Sequence, residues 1–281
     1  MQVYELCDKW LSEREGFVRI STLQNYDYAI RRFKRYFENT AIEKLSTSDV
    51  AATFRKMADD NYSYSSIYNV RQVLRAIYRN AICNGLTTSN PFNRAQIPLY
   101  ASMKEVNSYT VDEQAAIIAA ASEDVLGDCY IFMLLTGLRV SELMQLRWEH
   151  YDRNKHTIKI VVSKTIHGVA TIAISDKAEA IILRQELQQH GYIFSNTRGN
   201  PLTMSSMKKL LKRIKAATNI EVTNHKCRHT FCTRLVEAGA DVKTVSTLAR
   251  HSSVAFTMQR YVTSDLQRQR QSLSLLDRLV V

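Results

Sequence analysis

Only three prolines interrupt the 281 residues, and two of them, Pro91 and Pro98, fall in one run, Leu86 to Ser108, where no apolar period can be traced. Proline fixes φ and removes a backbone donor, so a chain this poor in it elsewhere is free to build long helices. The run where it concentrates, punctuated by asparagine, is the natural place for one compact unit to end and another to begin. A length beyond one typical domain agrees, and 45% apolar residues are enough to fill two cores. We expect a first unit over residues 1–88, a linker over 89–108 and a second unit over 109–281.

The first unit reads as four helices. Val3, Leu6, Trp10 and Leu11 share one face, and Tyr26, Ile30, Phe33 and Phe37 share another, opened by a Ser21-x-x-Gln24 capping box. Val50, Phe54 and Met57 predict a shorter helix, and Ile67, Val70, Leu74, Ile77 and Ala81 a long one capped near Gly85. In the second unit a Thr110-x-x-Glu113 box starts a helical stretch that runs through Leu146. Ile158, Ile160 and Val162 then alternate, and Val169, Thr171, Ala173 and Ile174 follow, which predicts a β-hairpin with Lys164 near its turn. Helical pattern resumes around 176–190, 203–218, 225–238 (closed by Gly239), 241–250 and 266–280. The expected fold is mostly α with one small antiparallel sheet.

Charge narrows the partner. Thirty-eight Lys and Arg against 27 Asp and Glu give a formal charge of +11, which favours a polyanion, either nucleic acid or an anionic membrane surface. No run reaches the roughly 20 apolar residues of a membrane span, and the N-terminus lacks a charged leader ahead of an apolar core. Five cysteines with no C-x-x-C pair fit a reducing compartment, so a cytoplasmic, nucleoid-associated protein is expected. Arg71, Arg75 and Arg79, at i, i+4 and i+8, line one side of the long helix near Tyr62, Tyr64 and Tyr68. Such a stripe is ordinarily a solvated face, but on this background it is a candidate grip on DNA phosphates.

The last quarter carries the chemistry. His225 and Arg228 fall at i and i+3 on a helix and can reach one target, although a surface pair fits the same spacing. Arg139 follows Thr136-Gly137-Leu138, where a helix pauses, and could equally pair with Glu142. His251 precedes Tyr261 by ten positions, and Tyr261 is one of 14 tyrosines. Each residue has an ordinary structural reading alone. Together two arginine forks, two imidazoles and a phenol make a phosphate site with a covalent nucleophile. A rival reading, zinc on His225, His229 and Cys232 at i, i+4 and i+7, lacks the second ligand pair that structural zinc sites usually have.

Over roughly residues 105–265 these motifs resemble the catalytic domain of tyrosine recombinases, the phage integrase and Xer family. The resemblance rests on Thr136-Gly137-Leu138-Arg139-Val140-Ser141-Glu142-Leu143, Lys164, His225-Lys226-Cys227-Arg228-His229-Thr230-Phe231, and His251-Ser252-Ser253 followed by Tyr261. The N-terminal helices are similar to that family's core-binding domain. The resemblance implies that Arg139 and Arg228 clamp the scissile phosphate, that His225 assists proton removal, and that His251 hydrogen-bonds a phosphate oxygen. It also implies that Tyr261 forms a 3′-phosphotyrosyl link. The departing 5′ oxygen is strongly basic and needs a proton, which Lys164 at a hairpin tip can supply, with Lys159 as a rival on the strand. One position departs from the family pattern: Ala249-Arg250 stands where a glycine commonly precedes the histidine, and Arg250 there adds a phosphate-seeking cation. Glu142 is read as the partner that orients the Arg139 region.

The implied activity is site-specific recombination of double-stranded DNA by a homotetramer, without metal or nucleotide cofactor, and with an accessory DNA-bending protein as an optional partner. The apolar tail, Leu273, Leu275, Leu276, Leu279, Val280 and Val281, docks either on a neighbouring protomer or back on its own domain. The chain opens almost directly on its first helix, which leaves no room ahead for the arm-binding domain of larger phage integrases; a simple recombinase and a shortened chain stay open. Two alternatives share the charge and fold, a DNA-binding regulator that does not cut and a type IB topoisomerase that acts as a monomer.

Overall fold

The computed structural model describes residues 1–101, 107–161, 169–185, 191–196, 198–251 and 253–255. The chain divides into two compact units, Met1–Glu105 and Val106–Val281.

In the first unit α1 (Val3–Ser12), α2 (Ile20–Tyr36), α3 (Thr47–Asp59) and α4 (Tyr64–Cys83) surround one core. The apolar faces expected from the sequence meet there: Val3, Leu6 and Trp10, Ile30 and Phe33, Val50, Phe54 and Met57, and Ile67 through Ala81 are all buried. Each such large side chain contributes roughly 1.5–3 kcal/mol by leaving water. Helix α4 ends as predicted. Gly85 takes φ +69, Gly85 N–H donates to Ile82 O and Leu86 N–H to Ala81 O, which together satisfy the last turn's carbonyls.

Two readings are corrected. The start of α2 is not a Ser21 capping box, because the backbone turns extended one residue before Ile20, at Arg19, and Ser21 lies inside the first turn with no side-chain cap formed. Much of the run read as a linker also belongs to the first unit. Pro91–Asn93 is a 3-10 helix capped by Asn90, and Phe92, Ala95, Ile97 and Ala101 sit in the first unit's core.

The second unit is built on α6 (Gly127–Thr136), in which Cys129 through Leu134 are buried in succession, so the helix runs through the core with almost no solvent face. Around it lie α5 (Val111–Ser122), α7 (Val140–Leu143), α8 (Asp176–Arg184), α9 (Met204–Thr218), α10 (Asn224–Glu237) and α11 (Val242–Ala249). The Thr110 box forms as expected, with Thr110 Oγ1 accepting from Glu113 N–H at 3.1 Å and Glu113 Oε2 accepting from Thr110 N–H at 2.9 Å. Helix α8 ends at Arg184, earlier than the pattern suggested; residues 186–190 lie outside the described residues.

The sheet has the order β1-β2-β3, antiparallel throughout: β1 (Tyr151–Asp152), β2 (Thr157–Ile160) and β3 (Ala170–Ala173). Ile158 pairs with Ile172 and Ile160 with Ala170. Because side chains alternate, burying Ile172 turns Thr171 and Ala173 outward. Val162 and Lys164 lie outside the described residues, as does the predicted helix over 266–280 with its apolar tail. Among the described residues no helix is long and apolar enough to cross a membrane.

Candidate active site

Helix α6 stops because Gly137 adopts φ +62 and ψ 19, a left-handed cap that turns the chain sharply toward α10. The turn exposes the Gly137 carbonyl to Arg228, whose Nη1 donates to it at 2.9 Å. A Cβ at residue 137 would stand 2.4 Å from Phe231 Cδ1. Gly137→Ala therefore meets both a left-handed backbone and a collision, and we expect it to lower unfolding stability by about 2 kcal/mol in denaturant titration, with slower catalysis because Arg228's anchor shifts.

Two residues on, Arg139 caps α7. Its backbone N–H and Nη1 donate to Glu142 Oε2 and Oε1 at 2.9 and 2.7 Å. Glu142 is wholly buried, whereas the Arg139 side chain keeps 32% of its surface exposed. The pairing with Glu142 is therefore real, but it leaves the guanidinium a face open to a ligand. A third donor reaches the same carboxylate: Arg250 Nη2 lies 2.7 Å from Oε2. Arg250 was read as a phosphate-seeking cation; instead its side chain is buried, committed to Glu142 and to Leu248 O.

Helix α10 presents His225 and Arg228, and a hydroxyl network fixes how it sits on α6. Tyr109 OH and Tyr130 OH lie 2.7 Å apart, Tyr130 OH donates to Thr223 O, Thr223 N–H donates to Tyr109 OH, and Tyr109 N–H donates to Thr230 Oγ1. Arg234 closes the set by donating to Tyr109 O at 2.6 Å and to Gln114 Oε1 at 3.0 Å. Buried phenols that must all be satisfied at once fix α10 in one register. Sequence reading missed this network, since its members are up to 125 positions apart.

Electrostatics tie the pieces together. Burial, then the neighbouring Arg139 and Arg250 charges, pull the Arg228 pKa down to about 10, so it stays protonated at neutral pH under strain from like charge. Its Nη2 is buried without a hydrogen-bond partner among the described residues. His251, whose N–H caps α11 by donating to Ser246 O, is pushed down to about 4 by burial first and then by Arg228, Arg139, Arg250 and His225. It is a neutral imidazole beside a cluster of cations. Four of the six expected catalytic residues, Arg139, Arg228, His251 and His225, thus act on one another; Lys164 and Tyr261 lie outside the described residues. Lys159 points outward from β2.

No group of three or more potential metal ligands occurs among the described residues, and Cys227 and Cys232 are turned into the core. Of the arginine stripe in the first unit, Arg71 donates to Phe92 O and Asn93 O at 3.0 and 2.8 Å, and Arg75 to Asn93 Oδ1 at 2.8 Å. Those two bind the Pro91–Asn93 turn to α4. Arg79 joins Arg75 on the wall of a cleft of about 480 Å³.

The profile described as the phage integrase family matches residues 108–268, and that described as the phage integrase N-terminal SAM-like domain matches residues 13–87. The chain is 30% identical to tyrosine recombinase XerD of Lacticaseibacillus casei over 223 residues, covering 74% of this chain and 75% of that one. It is 25% identical to tyrosine recombinase XerC of Pediococcus pentosaceus, covering 92% of each. Its fold is similar to that of the Tn1549 transposon integrase in complex with a circular intermediate DNA, with a TM-score of 0.82 at 22% identity, covering 98% and 99% of the two chains. A lambda integrase tetramer bound to a Holliday junction gives a TM-score of 0.76 at 22% identity, covering 95% of this chain and 80% of that one.

Proposed function

The chain belongs to the phage integrase family and is a site-specific tyrosine recombinase, and from that premise we propose that it cuts and rejoins DNA through a covalent 3′-phosphotyrosyl link on Tyr261. The observation that carries this chemistry is Arg228 Nη2, a buried guanidinium donor with no acceptor among the described residues, next to the partly exposed Arg139. Leaving a charged donor unpaired costs several kcal/mol, and an anionic phosphate oxygen is the acceptor it lacks.

In this reading Arg139 and Arg228 bind the two non-bridging oxygens and take up the charge that accumulates as phosphorus becomes pentacoordinate. Tyr261 oxygen attacks phosphorus, His225 accepts the phenol proton, and the 5′ oxygen leaves with a proton from Lys164. Neutral His251 donates a hydrogen bond to a phosphate oxygen. The energy of the broken phosphodiester is retained in the link, so neither a metal nor a nucleotide is needed for rejoining. Arg71, Arg75 and Arg79 contribute positive potential along the duplex, with Arg71 and Arg75 also holding the turn beside α4. Exchange between two DNA segments calls for four protomers, and the lambda integrase tetramer on a Holliday junction is a relative in that arrangement.

The test is a nicked duplex carrying the site recovered by selection from a randomised pool, incubated without metal. An SDS-stable protein–DNA adduct, formed in the presence of chelator, is the expected result; its absence with DNA bound would reassign the chain to a regulator. Relaxation of supercoils on DNA lacking the site would reassign it to a topoisomerase.

A further inference from the structure

We propose that Arg250 is a positioning residue for strand cleavage, holding Glu142 so that the Arg139 guanidinium is fixed at the scissile phosphate. The inference rests on the reading of Arg139 as a phosphate clamp.

Arg250 takes φ +52 and ψ 49, the left-handed region that glycine enters freely and a side-chain-bearing residue enters at a cost of about 1 kcal/mol. Its guanidinium is then buried to 1% exposure, with Nε lacking a partner among the described residues. Burial lowers its pKa while Glu142 pulls it back up. Both features oppose stability, and a buried ion pair seldom adds stability over an apolar replacement. Fold stability therefore does not account for this side chain.

Its geometry does. Glu142 Oε1 takes Arg139 Nη1, whereas Oε2 takes the Arg139 backbone N–H and Arg250 Nη2. Arg139 already engages both oxygens, and Arg250 adds a third, charged donor on Oε2 that resists rotation of the carboxylate, so the side-chain bond that orients Arg139 is held. Charge leads to the same place. A lone buried Glu142 would cancel the Arg139 charge. Arg250 answers the carboxylate, so Arg139, Arg228 and Arg250 against Glu142 leave two positive charges facing a phosphodiester that gains a second negative charge on attack. The arrangement also couples the end of α11, and His251 beside it, to the start of α7.

The experiment compares single-turnover adduct formation and gel-shift affinity on the same nicked duplex for the wild-type chain, R250G, R250K, E142Q and R250G with E142Q. Glycine suits the backbone at 250, so R250G keeps its fold in a thermal melt; should it not, R250K against R250M, alike in length and different in charge, takes its place. We expect R250G to form adduct on the order of 10²-fold more slowly at saturating DNA, with affinity changed less than about threefold, and R250K to recover about tenfold of the loss. In the E142Q background R250G should cost less than about threefold, because Arg250 acts through Glu142. An R250G rate equal to wild type, a full loss that persists in E142Q, or a loss carried by affinity overturns the inference. A wild-type chain that forms no adduct overturns the proposed chemistry and this inference together, whereas adduct from wild type and R250G alike overturns only the latter.

Discussion

Tyr261→Phe should abolish the covalent protein–DNA adduct while leaving affinity for the duplex within about threefold of wild type. The substitution removes one oxygen and leaves every charge of the chain in place, but under the proposed chemistry no nucleophile remains to form the phosphorus–oxygen bond. Binding draws on a formal charge of +11 spread over the whole chain, to which this phenol adds nothing. The readout is denaturing electrophoresis of the nicked-duplex reaction beside a native gel shift. An adduct surviving in the Phe variant would assign the attack to another of the 14 tyrosines.

The second large effect is on stability. Glu142→Ala leaves Arg250 buried with no counter-charge and releases Arg139, both of which now depend on that carboxylate. Removing one partner of a buried ion pair costs about 3–5 kcal/mol, and equilibrium denaturation should show a loss in that range. Asp152→Ala is the control. Its partner Lys155 is 77% exposed, and a pair so open to water should be worth under about 0.5 kcal/mol. Equal losses from the two substitutions would contradict the burial argument.

The contrast between those pairs also explains what could be seen in the sequence. Helix faces such as Ile67-Val70-Leu74-Ile77 repeat within a few residues and declare their own geometry, as do the Thr110–Glu113 box and the Gly85 cap. The hairpin was legible from Ile158 and Ile160, but not its second register, since Val169 through Ile174 offers apolar residues on both faces and only pairing with β2 selects Ile172. A two-residue strand such as β1 has no period to read. Within the site, Arg139, His225, Arg228 and His251 stood out because arginine and histidine in fixed motifs are chemically conspicuous. The fate of Arg250 did not, because its carboxylate partner is 108 positions away and a cation's hydrogen bonds leave no local trace. The proline run misled for a related reason: Phe92, Ala95 and Ile97 are core residues without regular spacing, held by Arg71 and Arg75 from a helix some twenty residues earlier.

Helix α6 has almost no face toward water, and the carbonyl of its cap residue, Gly137, is the acceptor for Arg228. Amide protons along such a helix can trade with solvent only when the entire unit opens. The anchor of Arg228 is consequently as long-lived as the folded state itself, and heating should take away catalytic competence and global structure in a single transition rather than in sequence.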